Sequence, residues 1–218
     1  MSEIAHIVSP ASAGWTGWLL FGLLLCAVWA EFIQRGIITQ SLQSVLTHSN
    51  RTYKDAPVNF WAQVLITIFR VCVIALAVYL CCYTEGTFTF AAFAAICGLL
   101  VGLLIVKMLC HWILDYTFRF SHMFESAYEP YANIVTLASV VLYPIILILL
   151  RIDSVAVARW SVGAVAVLFL LIWFYRGGRI FIQSPVGIFY FALYLCTLEF
   201  LPMMALYYLS DITIQHLW

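Results

Sequence analysis

An all-α, polytopic membrane helix bundle of about six transmembrane helices is the fold class this sequence predicts, and three observations predict it. Only 9% of the 218 residues are charged, where soluble domains carry about a quarter. Six apolar stretches reach the roughly 20 residues a helix needs to cross a hydrocarbon core about 30 Å thick. Aromatic rings gather near the ends of those stretches, among them Trp15, Trp18, Phe60, Trp61, Tyr83, Trp112, Trp173 and Tyr175, where amphipathic rings prefer the headgroup layer. Lipid offers backbone N–H and C=O groups no partner, so each crossing stretch must be helical. With 65% hydrophobic residues and a mean hydropathy of +1.04, residues 1–218 form a single integral membrane domain with no room for a soluble one.

The first span is expected over Trp15–Ile33. No basic n-region precedes it and no A-x-A-like site follows it, so it reads as a retained span. In Glu31–Asn50, Ile33, Ile37, Ile38, Leu42, Val45 and Leu46 recur every three to four residues. That spacing predicts an amphipathic helix along the cytoplasmic interface. The second and third spans are expected over Phe60–Tyr83 and Thr89–Tyr116. Trp112, Tyr116, Phe120, Phe124 and Tyr128 then recur every fourth residue, so the third helix is expected to run on past the membrane toward Pro130. Such a stripe packs against neighbouring helices or docks a partner protein. Three further spans are expected over Ile134–Arg151, Val155–Tyr175 and Val186–Leu209. Arg176-Gly177-Gly178-Arg179 reads as a short basic loop between the last two, an anchor and turn or a contact for a lipid phosphate.

Charge sets the orientation. Arg35, Arg51, Lys54, Arg119, Arg176 and Arg179 fall in alternate connections, while the opposite side holds Arg151 and Arg159. The positive-inside rule makes the first group cytoplasmic and places both termini outside, which in a bacterium means periplasmic. Asn50-Arg51-Thr52 then lies on the wrong side for glycosylation. A formal net charge of zero leaves no basic face for nucleic acid. The seven cysteines lie in or beside apolar runs without CxxC spacing, and read as small buried hydrophobes rather than as a metal or redox motif. The two halves share no inverted repeat of the kind common in secondary transporters.

The polar residues inside the spans are the candidate functional ones. Glu199 sits mid-way along the last stretch with Pro202 three residues on, where an ionised acid must be paired, protonated or wetted. Arg70 and Lys107 are expected at a similar depth, which makes either a partner for Glu199. Lys107, His111, Asp115 and Arg119 are four apart and form one column on a helix. Two readings of this network stand side by side: a proton or ion path, or a set of pairs that fixes helix register. His111 and Asp115, with His122, Glu125 and Glu129 beyond them, lack the repeated Glu-x-x-His of di-metal bundles, so no metal and no cofactor is expected. The motifs of hydrolases and intramembrane proteases are missing too.

Tyr175-Arg176-Gly177-Gly178-Arg179, followed by Tyr194-Leu195-Cys196-Thr197-Leu198-Glu199-Phe200-Leu201-Pro202, resembles the closing signature of an uncharacterised Bacteroidetes family of polytopic inner-membrane proteins (DUF4271). The resemblance is specific over the carboxy-terminal residues and general elsewhere. Tyr194, Cys196, Glu199, Pro202 and Arg176 match its motif, and the Lys107 column does not map onto it. It implies a multi-pass protein of the bacterial inner membrane and transfers no activity. The expected function is a non-enzymatic accessory or scaffold subunit of a larger cell-envelope complex, such as one for protein export or envelope assembly. Its expected partners are the bilayer and other membrane or periplasmic proteins. A proton-coupled transporter or channel built on Glu199, Arg70 and Lys107 is the alternative. A membrane enzyme acting on lipid-linked substrates is a third.

Overall fold

In the computed structural model, five long helices follow one another: α1 (Gly14–Ile33), α2 (Phe60–Cys82), α3 (Phe90–Phe118), α4 (Ser121–Leu149) and α5 (Val155–Phe181). The structure describes residues 14–36, 38–39, 41–42, 59–82, 89–118, 121–152, 154–181, 204 and 208, with side chains at 82, 111, 113–118, 121–130, 155 and 176–181 left out. Among the described residues everything regular is helical, and each of the five helices contains a stretch long and apolar enough to cross a membrane. The expected sixth span, Val186–Leu209, lies outside the described residues except at Met204 and Tyr208, which are helical.

Helix α2 is the axis of the bundle and touches all four others. Its buried residues Ala62, Ile66, Phe69, Val73, Leu76 and Leu80 step by four and three in alternation, which holds one seam against neighbouring helices. Ala75 and Ala77 are buried on other faces of the same helix. Lipid tails are as apolar as the side chains, so helices associate here by close packing rather than by escape from water. Small residues permit that approach, and Ala30 of α1, Ala92 of α3 and Ala158 of α5 are likewise buried.

Local hydrogen bonds set the helix starts. Asn59 accepts the Trp61 N–H on its side chain at 3.1 Å and the Gln63 N–H on its carbonyl, an N-cap for α2. The buried Tyr79 hydroxyl accepts the Thr89 N–H at 3.0 Å and meets the Thr89 carbonyl at 3.4 Å, so the end of α2 is clipped to the start of α3. Trp15, at the start of α1, meets Phe90 edge-on at 5.5 Å and Phe93 at 5.6 Å. Arg159, early in α5, donates from Nε to the Cys81 carbonyl at 2.8 Å, supplying a donor and a positive charge to the carbonyl end of α2. These contacts gather the starts of α1, α3 and α5 with the end of α2 at one end of the bundle. Successive helices α1, α2 and α3 therefore alternate in direction.

Three boundaries differ from the sequence reading. Helix α3 ends at Phe118 and a separate helix begins at Ser121, which divides the aromatic stripe: Trp112 and Tyr116 ride on α3, Phe124 and Tyr128 on α4. Helix α4 also starts well before Ile134 and takes in both Pro130 and Pro144. A proline biases its predecessor away from helix, but a membrane helix tolerates the lost bond where neighbours and hydroxyls serve the backbone. Helix α5 runs on through Arg176-Gly177-Gly178-Arg179 to Phe181, since two glycines cost a helix only about 1 kcal/mol each. Of the expected amphipathic helix, Ile38, Thr39, Ser41 and Leu42 are helical, and residues 43–50 lie outside the described residues.

Enlarging a small residue on the axis should overpack it. Ala75→Leu, at a fully buried position, is expected to destabilise the detergent-solubilised protein by about 1–3 kcal/mol in thermal-unfolding assays. Met108→Ala, on the open side of α3, should leave the transition unchanged.

Candidate functional site

The polar residues within the bundle fall into three groups. The first lies where α3, α4 and α5 meet. Lys107 Nζ sits 3.9 Å from the centroid of the Tyr131 ring. Tyr131 in turn meets the Trp173 ring edge-on, with centroids 5.2 Å apart at 72°. Trp173 is only 2% exposed and is packed with Ile134 and Phe169, and its buried Nε1 donor has no hydrogen-bond acceptor among the described residues. The ammonium is thus set on a π face, an attraction that grows as water is excluded.

Arg70 lies on α2. It is half-buried ten residues into α2, about 15 Å along the axis, and its Nε is out of contact with solvent. Helix α3 is continuous past Asp115, so Lys107, His111 and Asp115 do share one face of one helix. The side chains of His111 and Asp115 lie outside the described residues, as do Arg119, the side chain of Arg176, and Glu199, Tyr194, Cys196 and Pro202.

The second group consists of hydroxyls in the interior. Thr136 and Ser139 of α4 are fully buried, and each donates back to its own helix, Thr136 Oγ1 to the Ala132 carbonyl at 2.7 Å and Ser139 Oγ to the Val135 carbonyl at 2.9 Å. Tyr143 donates across to the Leu20 carbonyl of α1 at 3.0 Å. Each hydroxyl thereby hides its donor where no water competes.

The third group was not singled out from the sequence. At the end of α1 the Glu31 carboxylate accepts two backbone N–H bonds, Gly36 to Oε1 at 2.7 Å and Ile38 to Oε2 at 3.1 Å. Gly36 has φ 87°, a left-handed conformation that costs a residue with a Cβ about 1–2 kcal/mol. The acid thus clasps the turn at the end of α1, and Ser41, five residues past Gly36, meets Asn133 of α4 at 3.3 Å. The available signal was a glycine just past the last apolar residue with a carboxylate one turn before it. Beside the clasp opens a groove of about 520 Å³ lined by Leu24, Ala27, Arg35, Phe69, Val140 and Tyr143 among others. Among the described residues, no three His, Cys, Asp or Glu side chains converge as a metal site would require.

A double-mutant cycle tests the aromatic seat. Lys107→Met and Tyr131→Leu should couple by about 0.5–2 kcal/mol in thermal unfolding, while Tyr131→Phe, which keeps the π face, should retain most of the coupling. At the turn, Gly36→Ala is expected to cost about 1–2 kcal/mol by the same readout.

No curated protein and no solved structure matches the chain. A family model described as Domain of unknown function (DUF4271) matches residues 16–209, nearly the whole helical bundle. The sequence signature and the helical membrane architecture therefore meet in one statement: the chain belongs to the DUF4271 family of proteins.

Proposed function

We propose that this multi-pass membrane protein is a non-enzymatic accessory or scaffold subunit of a larger cell-envelope complex in a bacterial inner membrane. The observation that supports the reading is the use made of the interior polar groups. Thr136, Ser139 and Tyr143 spend their donors on helix carbonyls, and Lys107 rests on Tyr131. Tyr143 and Lys107 in this way tie one helix to another, while Thr136 and Ser139 keep their donors within α4. Helix α3 adds a surface for a partner. Its side with Val101, Leu104, Ile105, Met108 and Trp112 is exposed, Met108 at 77%. In this reading the connections whose sequence carries Arg35, Arg51, Lys54, Arg119, Arg176 and Arg179 face the cytoplasm, and both termini are periplasmic.

Glu199, in the last apolar stretch, serves in this proposal as the counter-charge that fixes the bundle in one arrangement. A second reading, a proton-coupled carrier, is favoured by Arg70, a cation held half-buried in mid-span. It uses Glu199, Arg70 and Lys107 as the exchanging groups.

The deciding experiment is purification of the tagged protein from its own membranes in mild detergent, with mass spectrometry of what accompanies it. Envelope proteins in stoichiometric amounts, and less assembled complex with Glu199→Gln, are the expected results. A solitary protein showing pH-dependent flux in proteoliposomes, lost in Glu199→Gln, would overturn the scaffold reading in favour of the carrier.

A further inference from the structure

The groove between α1, α2 and α4 has a shape, a depth and a charge that single out one kind of occupant. Its walls are apolar: Leu24 and Ala27 from α1, Phe69 from α2, Val140 and Tyr143 from α4. The one hydroxyl among these is turned away, since Tyr143 donates to the Leu20 carbonyl. A cavity of about 520 Å³ is within the size range of small-molecule sites. An apolar hollow of that size stays neither empty nor water-filled at low cost, because bare walls lose their contacts and water finds no polar partner there. Hydrocarbon must fill it.

The depth fixes how long that hydrocarbon is. The groove follows the chain from Leu24 to Arg35, about 16 Å at the helical rise. Half of a hydrocarbon core about 30 Å thick is nearly the same distance. One acyl chain of one leaflet therefore matches the groove from end to end. Its mouth lies where α1 stops and the chain turns at Gly36, with the exposed Arg35 on the rim. Glu31 lies beside it, with both carboxylate oxygens already accepting backbone N–H groups. The clasp holds the rim in place, because Gly36 and Ile38 are tied to the same carboxylate that lines the opening. A guanidinium on the rim of an acyl-length apolar slot is complementary to a phosphate carrying a fatty chain.

We propose that this groove is a binding site for a single glycerophospholipid, one acyl chain lying between α1, α2 and α4 and the phosphate on Arg35. The site is independent of the scaffold reading and holds whether or not a partner complex exists. Phosphate and chain are both needed. Inorganic phosphate lacks the apolar part, and diacylglycerol lacks the anion.

The test is lipid retention by the full-length protein after exhaustive washing in mild detergent, read by native mass spectrometry and lipid phosphorus. About one phospholipid per chain is expected to remain. Ala27→Trp, which puts an indole into the slot, should abolish retention. Arg35→Gln, an exposed change that leaves the core alone, should weaken rebinding from phospholipid micelles by about tenfold or more, the size of one charge-assisted hydrogen bond. Diacylglycerol should rebind to wild type no better than phospholipid does to Arg35→Gln, and inorganic phosphate alone should not bind. Phosphatidylethanolamine and phosphatidylglycerol offered separately show whether the rim prefers an amine beside Glu31. Equal retention by Ala27→Trp in a monodisperse, cooperatively melting sample would overturn the proposal. So would undiminished phospholipid rebinding by Arg35→Gln, or diacylglycerol binding wild type as well as phospholipid does.

Discussion

Close packing around α2 is the constraint on which the other features rest. In a bilayer no water drives helices together, so association depends on how near the backbones can come and how many atoms then touch. The axis helix meets this with a 4–3–4 seam of larger side chains and with alanines elsewhere on its circumference. Those alanines let α1, α3, α4 and α5 all reach it. The polar contacts between helices, Tyr143 to Leu20 and Arg159 to Cys81, are available because the backbones already lie close.

Much of this architecture was legible in the sequence because it follows from length and polarity. Stretches of about 20 apolar residues between charged or aromatic ends can do little except span. The column Lys107, His111 and Asp115 was legible for the same reason, since a continuous helix places every fourth residue on one face. Breaks were harder. Pro130 and the Gly177-Gly178 pair are stop signals in water, where a helix must justify each bond locally. In this bundle the helices continue through both, the cost being about a kcal/mol per glycine against a long apolar run.

Contacts between helices were the least legible. Nothing in the spacing of Lys107, Tyr131 and Trp173 says that an ammonium will lie on one ring and that ring against the other. The pairing is decided by how α3, α4 and α5 rotate and slide together, which a one-dimensional pattern does not encode. The Glu31 clasp differs, because it is local and could be read once a glycine after α1 is seen to need a left-handed turn. A charge deep in a span announces itself by its desolvation cost, whereas a charge at a boundary does not. Yet the boundary is where the chain changes direction and where the slot beside α1 opens.

The hydroxyl clip between Tyr79 and Thr89 has a consequence for how the chain is made. It closes α2 and α3 into a hairpin whose fastening lies within ten residues of sequence. The pair can thus be complete once residue 118 has cleared the ribosome, before α4 and α5 have emerged from it. A hairpin already bonded at its tip can leave the insertion machinery as one object. The later helices can then pack onto a pair of helices already joined.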